Sequence, residues 1–229
     1  YGGVNAPENC RTFLCVSFSA MDINLESAAN LIAEIITGSK FDDQCMIHEL
    51  LRQAIVWMEQ NIIDSGSGYV MTRIAAGHSA QGVVRECTGG FTYFQRLKTL
   101  EKNFQRYAAE FSRELAALSK EIFAKNRLTI SITGTNDNAE AILENAVICV
   151  LPVSRQKETV CSIRPWSKRR EGIVIPADVS FTAMGGNLLQ YGGAYNGSLQ
   201  VLSRIVSLSY LWNVIRVQGG AYGTGLSLS

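Results

Sequence analysis

The stretch Tyr210-Leu211-Trp212-Asn213-Val214-Ile215-Arg216-Val217-Gln218-Gly219-Gly220-Ala221-Tyr222-Gly223 reads as the end of a helix followed at once by a strand. Apolar residues recur up to Val217, and Gly219-Gly220 then supplies the backbone freedom that helix ends use. Beyond the pair, Tyr222, Thr224, Leu226 and Leu228 alternate, which predicts a strand over Ala221 to Ser229. Upstream, Leu199 to Val217 is one apolar run, nearly as long as the roughly 20 residues of a membrane span. Arg204 lies inside it, and an arginine near the centre of a span costs about 2.5–3.5 kcal/mol. A buried core helix is the expected reading, with no membrane segment.

Working back, the Gly-rich loop Gly185 to Gly197 precedes this helix, and Gly172 to Ala183 reads as a strand bent or placed at an edge by Pro176. Between Val153 and Glu171 eight of nineteen residues are Arg, Lys or Glu, with Pro165 among them. That composition predicts an interdomain linker over 153–171, and the triplet Lys168-Arg169-Arg170 reads as part of its solvated surface. The expected organisation is a first domain over 1–152 and a second over 172–229 that stops before it closes.

The first domain alternates in type. Thr12 to Met21 reads as a strand. Leu25, Ala28, Leu31, Ile32, Ile35 and Ile36 then predict a helix ended at Gly38. A longer helix follows Asp42-Asp43, whose charges suit the positive end of the dipole. Its stripe is Ile47, Leu50, Leu51, Ala54, Met58 and Ile62, and Ser65-Gly66-Ser67-Gly68 stops it. Tyr69 to Ala76 predicts a short helix; Phe91 to Lys102 and Phe104 to Lys125 predict two more. In the last, Phe104, Tyr107, Phe111, Leu115, Leu118 and Ile122 fall on one face expected to be buried. Leu128 to Thr133 alternates strictly and predicts a strand, and Asp137 to Val150 returns to helix before Leu151-Pro152.

Of 229 residues, 47% are hydrophobic and 18% charged, which supports a real core and excludes a disordered chain. A formal net charge of +1 leaves no electrostatic footprint for nucleic acid or anionic lipid. The first residue is Tyr1, without a charged-then-apolar leader after it, so the chain reads as an internal piece of something longer. Cys10, Cys15, Cys45, Cys87, Cys149 and Cys161 form no C-x-x-C pair and are expected to be reduced, buried thiols in a cytosolic-type compartment. Three disulfides are the alternative for a secreted parent.

Complete catalytic motifs fail one by one. His48-Glu49-Leu50-Leu51-Arg52 has the first His and the Glu of a helical zinc site, but Arg52 stands where the second ligand belongs. With His48 and His78 as the only histidines, a helical zinc pair cannot be built, and His48 reads as an ordinary polar-face residue. Gly-x-Ser-x-Gly is absent, and Ser65-Gly66-Ser67-Gly68 follows a helix rather than the strand a nucleophile elbow needs. Gly77 and Gly82 have phosphate-loop spacing, but Val83-Val84 follows instead of Lys-Ser/Thr.

The terminal string nevertheless resembles a known pattern. It is similar to the run in the non-catalytic half of the M16 zinc metallopeptidases (the pitrilysin and insulin-degrading enzyme group). The nearest branch is that of the presequence proteases, where Leu-Trp…Ile-Arg-x-x-Gly-Gly-Ala-Tyr-Gly ends a long helix and opens a strand. Phe41-Asp42-Asp43, the helix to Glu59, Ser65-Gly66 and the run to Thr88-Gly89-Gly90 resemble the third domain of that branch. Gly172-Ile173-Val174-Ile175-Pro176 with Val179-Ser180-Phe181 resembles the opening of its fourth.

This resemblance implies α+β domains of metallopeptidase-like (LuxS/MPP-like) type, each a helix layer on a mainly antiparallel sheet, in a fragment of a four-domain protein. It implies a parent that degrades peptides in a closed chamber, with zinc held by His-x-x-Glu-His in an N-terminal half that is the partner of this segment. This chain holds no such motif and is expected to bind no metal and to be inactive alone. The family's substrate-facing Arg and Tyr fall on Arg216 and Tyr222, with Gly219 and Gly220 letting the backbone approach a bound peptide. A donor where negative charge develops on a carbonyl oxygen contributes roughly 2.7–4 kcal/mol by oxyanion-hole analogy. The phenol of Tyr222 suits that task, and the planar fork of Arg216 suits carbonyls or a carboxylate. Tyr210 and Trp212 are expected in the core, and Gln190 to Gly197 either faces the chamber or is a plain turn. A cytoplasmic location is expected, with an organellar matrix as the alternative for a eukaryotic source. Two rivals stand beside this reading: a non-catalytic, core-type structural subunit of the same fold, and a separately encoded partner that completes another subunit's active site.

Overall fold

The computed structural model describes residues 2–3, 6–134, 138–155, 162–167 and 170–228. Cys161, Lys168 and Arg169, the start of the Asp137 helix and the middle of the expected linker lie outside the described residues. The chain packs as two compact units, Tyr1–Ala183 and Met184–Ser229.

Helices build the first unit: α1 (Leu25–Gly38), α2 (Gln44–Asp64), α3 (Gly66–Ala76), α4 (Ala80–Gly89), α5 (Phe91–Lys102), α6 (Phe104–Ile122) and α7 (Ala139–Leu143), the last continued with i→i+5 bonding over Glu144–Ile148. Local chemistry accounts for the ends. Asp43 accepts a bond from the Met46 amide at 2.9 Å and caps α2. Ser79 accepts one from the Gly82 amide at 3.0 Å and caps α4, a helix for which the sequence pattern gives no expectation. At Gly82 the space for a Cβ is already filled, since it would lie 2.1 Å from the Ala75 carbonyl oxygen, so the glycine lets α4 meet the end of α3.

Two apolar clusters hold this unit together. Leu51, Ile55, Met58 and Ile62 of α2 pack with Phe94 and Leu97 of α5 and with Phe104 and Ala108 of α6. Ala29 and Ala33 of α1 pack with Leu143, Val147 and Leu151. The predicted stripes are rotated in detail. Leu31, Ile35, Leu50, Tyr107 and Leu118 are exposed, while the small residues Ala29, Ala33, Ala108 and Ser112 are buried, because close helix approach favours short side chains over large ones.

The α+β expectation is overturned. The described residues are helical, and their only strand pairing is a short antiparallel ribbon of β1 (Gly2–Gly3) and β2 (Ala6–Cys10). Thr12 to Met21, Leu128 to Thr133, Gly172 to Ala183 and Ala221 to Leu228 run without ladder partners. Alternation says which face of a strand would be apolar, but a strand exists only where a second one takes up its N–H and C=O groups. The thiol expectation also fails in part: Cys15, Cys45 and Cys149 are exposed.

Candidate functional site

In the second unit α8 (Ser198–Ile205) passes into an i→i+5 helix over Val206–Gln218. Asn196 caps its start, its Oδ1 accepting from the Ser198 amide at 3.0 Å. Ahead of it, Asn187 accepts from the Leu189 amide at 2.9 Å, and Gly192, at φ 74°, ends the single turn Leu188–Tyr191.

The helix closes where the terminal string places the glycines. Gly219 donates to the Val214 carbonyl at 3.0 Å, Gly220 to Arg216 at 3.0 Å, and Ala221 to Ile215 at 3.2 Å. The pattern is a Schellman-type cap widened by one residue, as an i→i+5 ladder requires. Gly220 has φ 73°, in the left-handed region, and a Cβ on Gly219 would lie 2.6 Å from the Ile215 carbonyl oxygen. Both glycines are therefore required by the geometry of the reversal.

Arg216 stands just before this reversal and Tyr222 just after it. The Arg216 guanidinium carbon lies 3.9 Å from the centre of the Trp212 ring, and Tyr222 is 96% exposed. The extended chain that carries Tyr222 is tied back to its own helix. Leu226 donates its amide to Ser207 Oγ at 2.9 Å, and its carbonyl accepts from Ser203 Oγ at 2.7 Å. Ser203 is buried; Tyr210 is exposed and Trp212 is 40% exposed, so neither aromatic sits in a core as expected. Among the described residues, none of Val206–Gln218 is buried.

The most buried charges lie elsewhere, in the first unit, and no motif signalled them. Arg73 Nη1 donates to Glu86 Oε1 at 2.9 Å and to Thr92 Oγ1 at 2.6 Å, while Nε and Nη2 make a two-pronged pair with Glu171 at 2.8 and 3.1 Å. Trp166 stacks on the same guanidinium at 5.0 Å. Glu86 is fully buried, and its Oε2 occupies the place a Cβ on Gly90 would take. Glu171, then Glu86, holds the Arg73 guanidinium above its ordinary pKa against the opposing effect of burial. All three guanidinium nitrogens of Arg73 are engaged, which makes the cluster a clamp between α3, α4, α5, Trp166 and Glu171 rather than a substrate site.

His48 lies flat on Phe104, rings 4.4 Å apart, with Nε2 3.4 Å from Glu101 Oε1. Arg52 donates to the same oxygen at 3.2 Å. Among the described residues no three His, Cys, Asp or Glu side chains converge as metal ligands. The described residues thus do not fit a zinc ion. Nor is any helix among them long and apolar enough to cross a membrane.

Two family models match the chain: the associated domain of the M16 peptidases, subfamily C, over residues 3–100, and "PreP C-terminal domain" over 170–228. The chain belongs to subfamily C of the M16 peptidases. Among its relatives, Protein HypA of Clostridium perfringens is 29% identical over 93% of this chain and 22% of its own length. Presequence protease 1, chloroplastic/mitochondrial, of Arabidopsis thaliana is 28% identical over 85% of this chain and 18% of its own. The mitochondrial presequence protease of Xenopus laevis is 23% identical over 91% and 23%. The chain therefore spans less than a quarter of the length of these relatives, and it matches a C-terminal part of the subfamily.

Proposed function

We infer that this chain is the substrate-binding part of a peptidase whose cleavage machinery lies in another segment, the N-terminal half of the parent. The observation that carries the reading is the reversal at Gly219-Gly220, which sets Arg216 on one side and a solvent-facing Tyr222 on the other. An arginine with free donors grips peptide carbonyls or a carboxylate through its planar fork. A phenol O–H donates to a carbonyl oxygen as attack at its carbon builds negative charge there, and that interaction is stronger in the transition state than in the bound substrate. Gly219 and Gly220 leave the backbone bare of side chains where the peptide passes.

Zinc belongs to the proposed parent and is held outside this chain, whose described residues supply no ligand set and which is inactive alone. Residues 1–152 and 172–229 correspond in this reading to most of a third and the beginning of a fourth domain, joined by 153–171. The organelle names carried by relatives support the matrix alternative for its compartment over the cytoplasmic one.

The test is peptide hydrolysis by the full-length parent with zinc present. Arg216→Ala and Tyr222→Phe are each expected to lower kcat/KM at least tenfold, about 1.4 kcal/mol of transition-state binding, Arg216→Ala through KM and Tyr222→Phe through kcat. A parent that is active with both variants unchanged removes the site, and a parent that cuts nothing favours a structural subunit.

A further inference from the structure

The two buried or half-buried arginines of this chain that stack on tryptophan differ in what their N–H groups do. On Arg73 the ring of Trp166 is an addition to four hydrogen bonds, with Nε, Nη1 and Nη2 all donating to carboxylates or to Thr92. On Arg216 the ring of Trp212 lies 3.9 Å from the guanidinium carbon, with no carboxylate or hydrogen-bond partner for the guanidinium among the described residues. A guanidinium lying on an aromatic face is restrained through its plane, while its five N–H bonds radiate in that plane and stay free. Arg216 lies four positions after Trp212, so Trp212 reaches it along one face of a single helix and needs no distant element to do so.

We propose that Trp212 is the positioning residue for Arg216: its indole face holds the guanidinium flat and pre-oriented, so that the N–H fork meets peptide carbonyls or a carboxylate without first being ordered. This rests on the reading of Arg216 as a substrate-binding residue. An arginine carries several freely rotating bonds, and ordering it on binding weakens affinity unless the ordering is done beforehand. The indole does that while leaving every donor available, which a carboxylate partner would not. The half-exposed position of Trp212 follows from this role, since a platform for a solvent-facing arginine must itself reach the surface.

Two measurements test the proposal. In NMR spectra of this chain, the Arg216 side-chain protons are expected upfield from ring current, to stay upfield in Trp212→Phe, and to return to ordinary positions in Trp212→Leu. In the parent, Trp212→Leu is expected to raise KM about threefold to tenfold with kcat within about twofold, and Trp212→Phe to restore most of the loss. Trp212→Gln, a side chain of some reach without a π face, replaces the Leu variant if that one misfolds. Combined with Arg216→Ala, the Leu change is expected to cost nothing more. An absent ring-current shift overturns the proposal whatever the kinetics. So does a Trp212→Leu loss that adds fully to that of Arg216→Ala, or no loss where Arg216→Ala has one. If the ring-current shift is present but Arg216→Ala itself changes nothing, the substrate-binding reading has failed, and the positioning role falls with it.

Discussion

Glu86 is a carboxylate with no access to water, and Arg73 is the cation that makes its burial tolerable. Removing one partner of such a pair leaves the other uncompensated in a poorly polarisable interior, which costs about 3–5 kcal/mol. Arg73→Ala is therefore expected to lower the unfolding free energy by about that much, read as a fall in the urea midpoint. Lys98→Ala, which breaks an open pair with Glu59 at 3.1 Å, is expected to change it by less than about 1 kcal/mol. Glu101 gives the pH dependence. The Arg52 guanidinium, and less strongly His48, holds its carboxyl below the usual carboxylate range. A lowered folded pKa adds stability above the unfolded value, and that gain disappears as the pH falls from about 4.3 through the lower folded value. Acid titration of stability in wild type and Glu101→Gln checks the sign: the difference between them should shrink on the acid side.

At the scale of elements, the caps and crossings that depend on glycine are the sensitive points. Gly220→Ala places a Cβ in the left-handed region at φ 73°, at a cost of about 1–2 kcal/mol, and displaces the segment that carries Tyr222. Gly82→Ala pushes α4 away from the end of α3 and is expected to destabilise by about 1–3 kcal/mol, seen as a lower Tm, with no effect on peptide binding. The i→i+5 helix matters here as well. It widens the turn before the reversal by one residue, so the carbonyls of Val214, Ile215 and Arg216 are all taken up by the glycines and Ala221. The ends of the string that carry Arg216 and Tyr222 thus rest on a completed cap.

Across the whole molecule, the two units differ in how they are held. Tyr1–Ala183 has two apolar clusters, with Met58 2% and Phe104 4% exposed. Within Met184–Ser229 the only buried side chain among the described residues is Ser203. Local opening follows contact density, so limited proteolysis is expected to cut 184–229 before α2 to α6, with mass spectrometry locating the first cleavages. Phe104→Ala should cost about 3–5 kcal/mol in the first unit alone, seen as loss of its urea transition while the tail's protease sensitivity stays as it was.

How much was legible in the sequence follows from the range of each interaction. The bounds of α1, α2, α5 and α6 lay within a few residues of expectation, because helical hydrogen bonds close within four residues and caps such as Asp43 act on the next turn. The reversal at Gly219-Gly220, with Arg216 and Tyr222 around it, was legible for the same reason, as was the family resemblance carried by that string. Strands were not, since alternation in Leu128 to Thr133 or Gly172 to Ala183 names no partner. The Arg73 clamp was invisible too: Glu171 lies 98 residues away, and nothing local in either residue signals the other. A large aromatic such as Trp212 is expected in a core, and only the folded helix shows its ring against Arg216. Sequence by itself determined what neighbours along the chain can satisfy; tertiary structure decided every pairing between groups that the chain must fold to bring together.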